Sequence, residues 1–166
     1  IFFGQNSSPM PASVCALAFS FCCVNGYLQM RNVTHFMLLP EEELHTPFFV
    51  PGLLLAISGL AVNILADQHL LSLKKASAKE RQAGGVGGYK IPTSPLFSLV
   101  SCPNFTGEMV EWFGFYLATP TSIIAFSFFF FTVANLLPRA ISHHKFYLEK
   151  FEDYPKNRKA AIPFLL

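Results

Sequence analysis

Polar residues set among apolar ones mark where this chain could do chemistry. Asn63 and Asp67 are four residues apart, so on a helix they share a face. Asn104, Glu108, Glu111, Asn135, Arg139, His143 and His144 follow in strongly apolar surroundings, where polar groups are costly and have a purpose. With Tyr89, Lys90, Tyr147 and Arg158 they would bring carboxylates, amides, imidazoles and cations to one end of a helical assembly. Cations and amide donors are what the phosphates and amide-bearing rings of a dinucleotide require. The alternative is that these groups only satisfy one another through interhelical hydrogen bonds. Glu108 and Glu111, three residues apart, could form an acid/base pair, or one of them could anchor a cation across the bundle. His143 and His144 point about 100° apart on a helix and have no suitably spaced third ligand, so no metal site is expected. No Ser–His–Asp arrangement is supported.

The elements that must position these residues are membrane helices. Hydrophobic residues make up 52% of the 166 and charged residues only 13%, against about 25% charged in a soluble domain. So little charge cannot cover a water-facing surface, and the 19 Phe suit acyl chains. The net charge of +2 is too small to argue for nucleic acid. Cys15, Cys22, Cys23 and Cys102 show no CxxC or Cys/His metal spacing and read as small apolar side chains. The chain begins with Ile1 and no basic region precedes its first apolar run, so no signal peptide is expected and the N-terminus reads as truncated.

The first apolar run covers about residues 12–30, near the ~20 residues that cross a bilayer. A polar connection, 31–46, contains Pro40 and Glu41 to Glu43. The second run covers about 48–65. A basic segment, 71–90, follows, with Lys74, Lys75, Lys79, Arg81, Lys90 and the Gly-rich stretch 84–88. That stretch lacks the GxGxxG pattern and a preceding strand, which argues against a Rossmann turn. The apolar region 105–138 is divided by Thr119-Pro120-Thr121 into two helices, the second expected to stop at Pro138-Arg139. An amphipathic tail follows from Ala140.

Lys/Arg bias places the 74–90 segment and the 139–159 tail in the cytosol, with the 31–46 connection in the lumen. The expected fold is thus an all-α integral membrane protein, a transmembrane bundle of about four spans. Asn32-Val33-Thr34 is a glycosylation sequon on the lumenal side, and Asn104-Phe105-Thr106 one on the cytosolic side that should stay unmodified.

Three stretches carry a family resemblance. Gly88-Tyr89-Lys90-Ile91-Pro92 and Ser101-Cys102-Pro103-Asn104-Phe105-Thr106-Gly107-Glu108 with Glu111-Trp112 resemble the steroid 5α-reductases. So does the tail from His143-His144-Lys145-Phe146-Tyr147 through Glu152-Asp153-Tyr154-Pro155-Lys156-Asn157-Arg158-Lys159 to Ile162-Pro163-Phe164, its most specific part. The resemblance runs from Asn25-Gly26 onward. It implies one membrane domain over residues 1–166, part of a seven-helix reductase of the endoplasmic reticulum membrane that uses NADPH on a steroid or sterol-like lipid. By resemblance, Asn63, Asp67, Lys74, Tyr89, Lys90, Asn104, Arg139, His143, Tyr147 and Arg158 contact the cofactor, with Glu108 and Trp112 near its nicotinamide.

The implied reaction reduces the carbon–carbon double bond of a 3-oxo-Δ4-steroid. Hydride goes to C5, and the enolate is protonated at C4. The Tyr and Glu that hold the ketone in the family are expected upstream of Ile1, so the segment alone is expected to bind cofactor weakly and not to turn over. Lys74 and Lys90 stand where relatives have Arg, keeping charge but losing the bidentate fork. The loop after Lys74 is longer than usual, and Thr93-Ser94-Pro95 replaces the usual Gly-Gly after Ile91-Pro92. Related reductases of enoyl-CoA or polyprenols, and a non-catalytic membrane fragment, are the alternatives.

Overall fold

Runs of apolar residues this long satisfy their backbone only by coiling into helices, because lipid offers no hydrogen bonds. The computed structural model describes residues 11–36, 47–84 and 88–165. The Glu41–Glu43 connection and residues 85–87 of the Gly-rich stretch lie outside them. The chain forms two units, Ile1–His45 and Thr46–Leu166, and each is described by itself.

The first unit holds α1, Ala12–Arg31, which ends in a wider π-helical turn over Asn32–Phe36. Its flanks expose Leu17, Phe19, Val24 and Met30, as a lipid-facing helix does. Gln29 and Asn32 are buried, and the Gln29 amide donates to Asn25 Oδ1 at 3.4 Å.

The second unit holds three helices: α2, Phe49–Gln82, α3, Pro103–Ala118, and α4, Ile123–Lys150. At 1.5 Å per residue, the 34 residues of α2 reach about 51 Å and the 28 of α4 about 42 Å. Both exceed the ~30 Å hydrocarbon core. The 16 residues of α3 reach only about 24 Å. Among the described residues, α1 with its terminal turn, α2 and α4 are thus the helices long and apolar enough to cross a membrane.

Two boundaries differ from the sequence reading. The helix expected to end near Leu65 continues to Gln82, so most of the basic segment is helical. Lys, Glu, Gln, Ala and Leu there are good helix formers, and the apolar run ends before the helix does. Second, α4 does not stop at Pro138 but passes through it to Lys150. Proline removes one helical hydrogen bond, typically at a cost of about 3 kcal/mol. Leu136 and Ala140 flank it, both buried in a cluster with Cys102, Met109, Ala160 and Ala161, and that packing keeps the helix running. The break at Thr119-Pro120-Thr121 stands where expected. Thr119 closes α3 with its hydroxyl on Phe115 O (2.9 Å), and Ser122 Oγ caps α4 by accepting from Ala125 N (3.0 Å).

The helices of this unit meet along two different seams. Between α2 and α3 the seam is backbone against backbone. Gly52, Ala56, Gly59 and Asn63 on α2 face Ala118, Gly114, Glu111 and Gly107 on antiparallel α3. A Cβ added at Gly59 would lie 2.4 Å from Glu111 N, and one at Gly107 would lie 2.6 Å from Asn63 N. Small residues at this spacing let helices approach more closely than larger side chains permit. Between α3 and α4 the seam is aromatic, with Trp112 on Phe128 (4.2 Å between centroids), Phe113 on Phe129 and Tyr116 on Phe126 (both 5.3 Å).

Beyond α4 the tail doubles back. Lys159 N donates to Leu99 O (2.8 Å), Ser101 N to Lys159 O (2.8 Å) and Cys102 N to Ala160 O (3.1 Å). Thr106 Oγ1 donates to Ala161 O at 2.6 Å. These bonds tie the tail to the approach into α3, with Ala160 and Ala161 buried.

Candidate functional site

The glycine seam decides which polar residues meet. Gly107 sits against Asn63, so one turn further along α2 Asp67 comes opposite Asn104. The Asn104 amide donates to Asp67 Oδ1 at 3.0 Å. Glu108 follows Asn104 by one turn of α3 and lies in the fields of Asp67 and of Arg139 on α4. His143, one turn beyond Arg139, meets the Phe105 ring at 5.7 Å. Asn63, Asp67, Asn104, Glu108, Arg139 and His143 thus form one polar group built from α2, α3 and α4. Glu111 and Trp112 continue along α3, Trp112 inside the aromatic seam.

A second group forms around the end of α4 and the tail. Tyr147 stacks on Tyr154 with centroids 5.2 Å apart and planes at 12°, and on Phe151 at 6.1 Å. Tyr89 meets Phe146, the neighbour of Tyr147, edge to face at 5.3 Å. The Arg158 guanidinium lies over the Tyr154 ring, 5.1 Å from its centroid. Tyr154 Oη donates to Ser101 Oγ (2.7 Å), which lies 2.6 Å from His144 Nδ1. Cys102, at the mouth of α3, is buried, and burial pushes its thiol up to about 12. It is therefore neutral and unreactive near pH 7.

Arg158 is the outstanding electrostatic feature. It is only 7% exposed, and its Nε and Nη1 are buried with no hydrogen-bond partner among the described residues. A buried charge is costly unless a counter-charge and hydrogen bonds compensate it. The stacked Tyr154 ring provides part of that compensation. Two buried donors without a hydrogen-bond partner among the described residues are what an anionic group such as a phosphate or carboxylate would satisfy.

The remaining expected cofactor contacts are Lys90 and Lys74. Lys90 pairs with Glu80 at the partly exposed surface, so its charge is engaged within the chain. Lys74 is exposed on α2, beyond Asp67. Ser101 and Tyr154, by contrast, lie within the family motifs, yet nothing in the sequence assigns them to the site. Both are about 3% exposed and together they hold the tail in place. Their hydroxyls within polar, aromatic-rich motifs are the signal the sequence offers for them.

Comparison with known proteins identifies the family of the chain. Residues 8–166 match the profile of a family described as 3-oxo-5-alpha-steroid 4-dehydrogenase. Over 157 residues, 93% of this chain, it is 50% identical to a steroid 5-alpha-reductase DET2 of Gossypium hirsutum, of which the match covers 57%. It is 47% identical to a 3-oxo-5-alpha-steroid 4-dehydrogenase 1 of Mus musculus over 90% of this chain and 55% of that protein. The Homo sapiens protein of the same name is 41% identical over 99% of this chain and 60% of its own length. The chain therefore spans a little over half the length of these curated relatives.

Proposed function

We propose, from the premise that this chain belongs to the 3-oxo-5-alpha-steroid 4-dehydrogenase family, that it forms the cofactor-binding part of an NADPH-dependent reductase of a 3-oxo-Δ4-steroid. The observation that carries this reading is the buried Arg158 guanidinium, two of whose nitrogens lack a hydrogen-bond partner among the described residues, near Tyr89, Tyr147 and His144 at the end of α4. The residues present fit a phosphate-bearing cofactor. Arg158 would hold a phosphate through its buried guanidinium, and exposed Arg139 on α4 adds a second cation. Asn104, Asp67 and Glu108 offer the donors and acceptors suited to an amide ring or to ribose hydroxyls.

When bound, NADPH supplies the hydride that the enone's β-carbon accepts. The chain's own work is to bind and orient. The backbone seam between α2 and α3 fixes Asp67 against Asn104, and the Trp112–Phe128 contact closes the adjacent wall with apolar surface that excludes water. The working environment is a multi-pass position in a lipid bilayer, which we assign to the endoplasmic reticulum, with the α2 end and the tail on the cytosolic side.

The test is a comparison of kcat/KM with NADPH and NADH for the intact protein and for R158A and R158K. Losing a charge-assisted contact of about 1.5–3 kcal/mol predicts a roughly 10- to 100-fold loss of NADPH affinity in R158A. R158K should fall between, since it keeps charge without the fork. Equal values for the two cofactors together with an indifferent R158A would remove the phosphate-binding role.

A further inference from the structure

Arg158 is borne on a tail with no regular structure of its own, held by turns such as Arg158 N to Pro155 O at 3.2 Å. A buried cation on such a segment needs a fixed platform if it is to meet a ligand in one geometry. The platform is the Tyr154 ring, which Tyr147 stacks on one side and the His144 ring meets at 6.1 Å. Stacking alone lets a ring slide in its plane. The hydroxyl bond to Ser101, and Ser101's contact with His144, remove that freedom. Ser101 is doubly engaged, because its backbone N also bonds Lys159 O, the residue next to Arg158.

We propose that Ser101 and His144 are positioning residues for Arg158: through the Tyr154 hydroxyl they fix the ring beneath the guanidinium and so present it to a phosphate of the dinucleotide cofactor. This inference rests on the proposed cofactor role of Arg158. Neither residue touches the cofactor. The Ser101 hydroxyl accepts from Tyr154 and pairs with His144 Nδ1, so it joins the two rings in one hydrogen-bonded chain.

The experiment measures NADPH dissociation constants by the cofactor's own fluorescence, without steroid, on the intact protein and on S101A, S101T, Y154F, R158A and the double variant S101A/R158A. Thermal midpoints and steady-state kinetics accompany each. Loss of one hydrogen bond predicts NADPH binding about three- to tenfold weaker in S101A and Y154F. The KM for NADPH should rise while kcat and the steroid KM hold, and S101T should restore near-native affinity. In the R158A background the S101A penalty should vanish, because Ser101 acts through the missing guanidinium. A penalty that persists undiminished in S101A/R158A, or a fall in kcat with unchanged NADPH affinity, would overturn the positioning role while leaving Arg158's own role intact. An R158A protein that binds NADPH like the wild type would overturn both. If S101A does not accumulate, Y154F and Y154F/R158A, which keep the stacked ring, read the same coupling.

Discussion

Replacing Gly59 by Ala should separate α2 from α3 and take the polar group apart with it. The new Cβ would stand 2.4 Å from Glu111 N, 2.6 Å from Gly107 O and 2.8 Å from Glu111 Cα, all backbone atoms that no rotamer change can move. Ordinary contact begins near 3.4 Å, so the helices must part by about 1 Å at this point. Overpacking of this kind costs about 1–3 kcal/mol. A separation of 1 Å would also stretch the 3.0 Å Asn104–Asp67 bond beyond hydrogen-bonding range, for about 1 kcal/mol more. The gain in helix propensity from Gly to Ala returns up to about 1 kcal/mol. The net expectation is a loss of about 1–3 kcal/mol with weakened NADPH binding. The assay is the thermal inactivation midpoint and NADPH dissociation constant of the intact protein in detergent, with S58A as control. Ser58 is the neighbouring position, exposed, its hydroxyl bonded to Leu55 O of its own helix. Because Gly107 meets Gly59 O at the same point, G59A/G107A should cost less than the sum of the single changes. A G59A protein that melts with S58A and binds NADPH normally would refute the close-packed seam.

Other expectations follow from the same structure. Cys102 should resist maleimide in the folded protein through pH 9, and react once detergent unfolding exposes it. Burial raises its folded pKa from the ordinary 9.0 to about 12, so its contribution to stability is present below about pH 9 and fades as pH rises toward 12. A flat stability curve over that window would remove the buried-thiol assignment. K90Q, which breaks the partly exposed Glu80 pair, should shift stability by no more than about 1 kcal/mol and change the NADPH dissociation constant little. A tenfold weakening would return Lys90 to the cofactor site. A cysteine placed at Gly84, just past the end of α2, should label from the cytosolic side, since Lys74, Lys75, Lys79 and Arg81 lead up to it. Labelling only from the lumen would reverse the topology.

What the amino-acid sequence determined by itself are the features set by short-range sterics and by solvent. Long apolar runs poor in charge had to become membrane helices, because only a helix satisfies its own backbone in lipid. Pro120, flanked by threonines, had to interrupt the helix between Ala118 and Ile123, since it lacks an N–H and pushes its predecessor out of helical conformation. Asn63 and Asp67 had to share a face because a helix turns 3.6 residues at a time. Tertiary structure decided the rest. The same proline chemistry that ended α3 failed to end α4 at Pro138, because Leu136 and Ala140 bury themselves against Cys102, Ala160 and Ala161 from distant parts of the chain. The glycines of α2 and α3 were visible in the sequence, yet their meaning depended on lying opposite one another, and that register alone brings Asp67 to Asn104. Lys90 proved to be engaged by Glu80, and Arg158 to be buried with two nitrogens unsatisfied among the described residues, although in sequence both are cations that the family resemblance alone assigns to a cofactor. The bonds joining Ser101 to Tyr154 and His144 span 53 and 43 residues and leave no periodic trace in the sequence. Such contacts form only when the packed helices have already fixed where the tail can return.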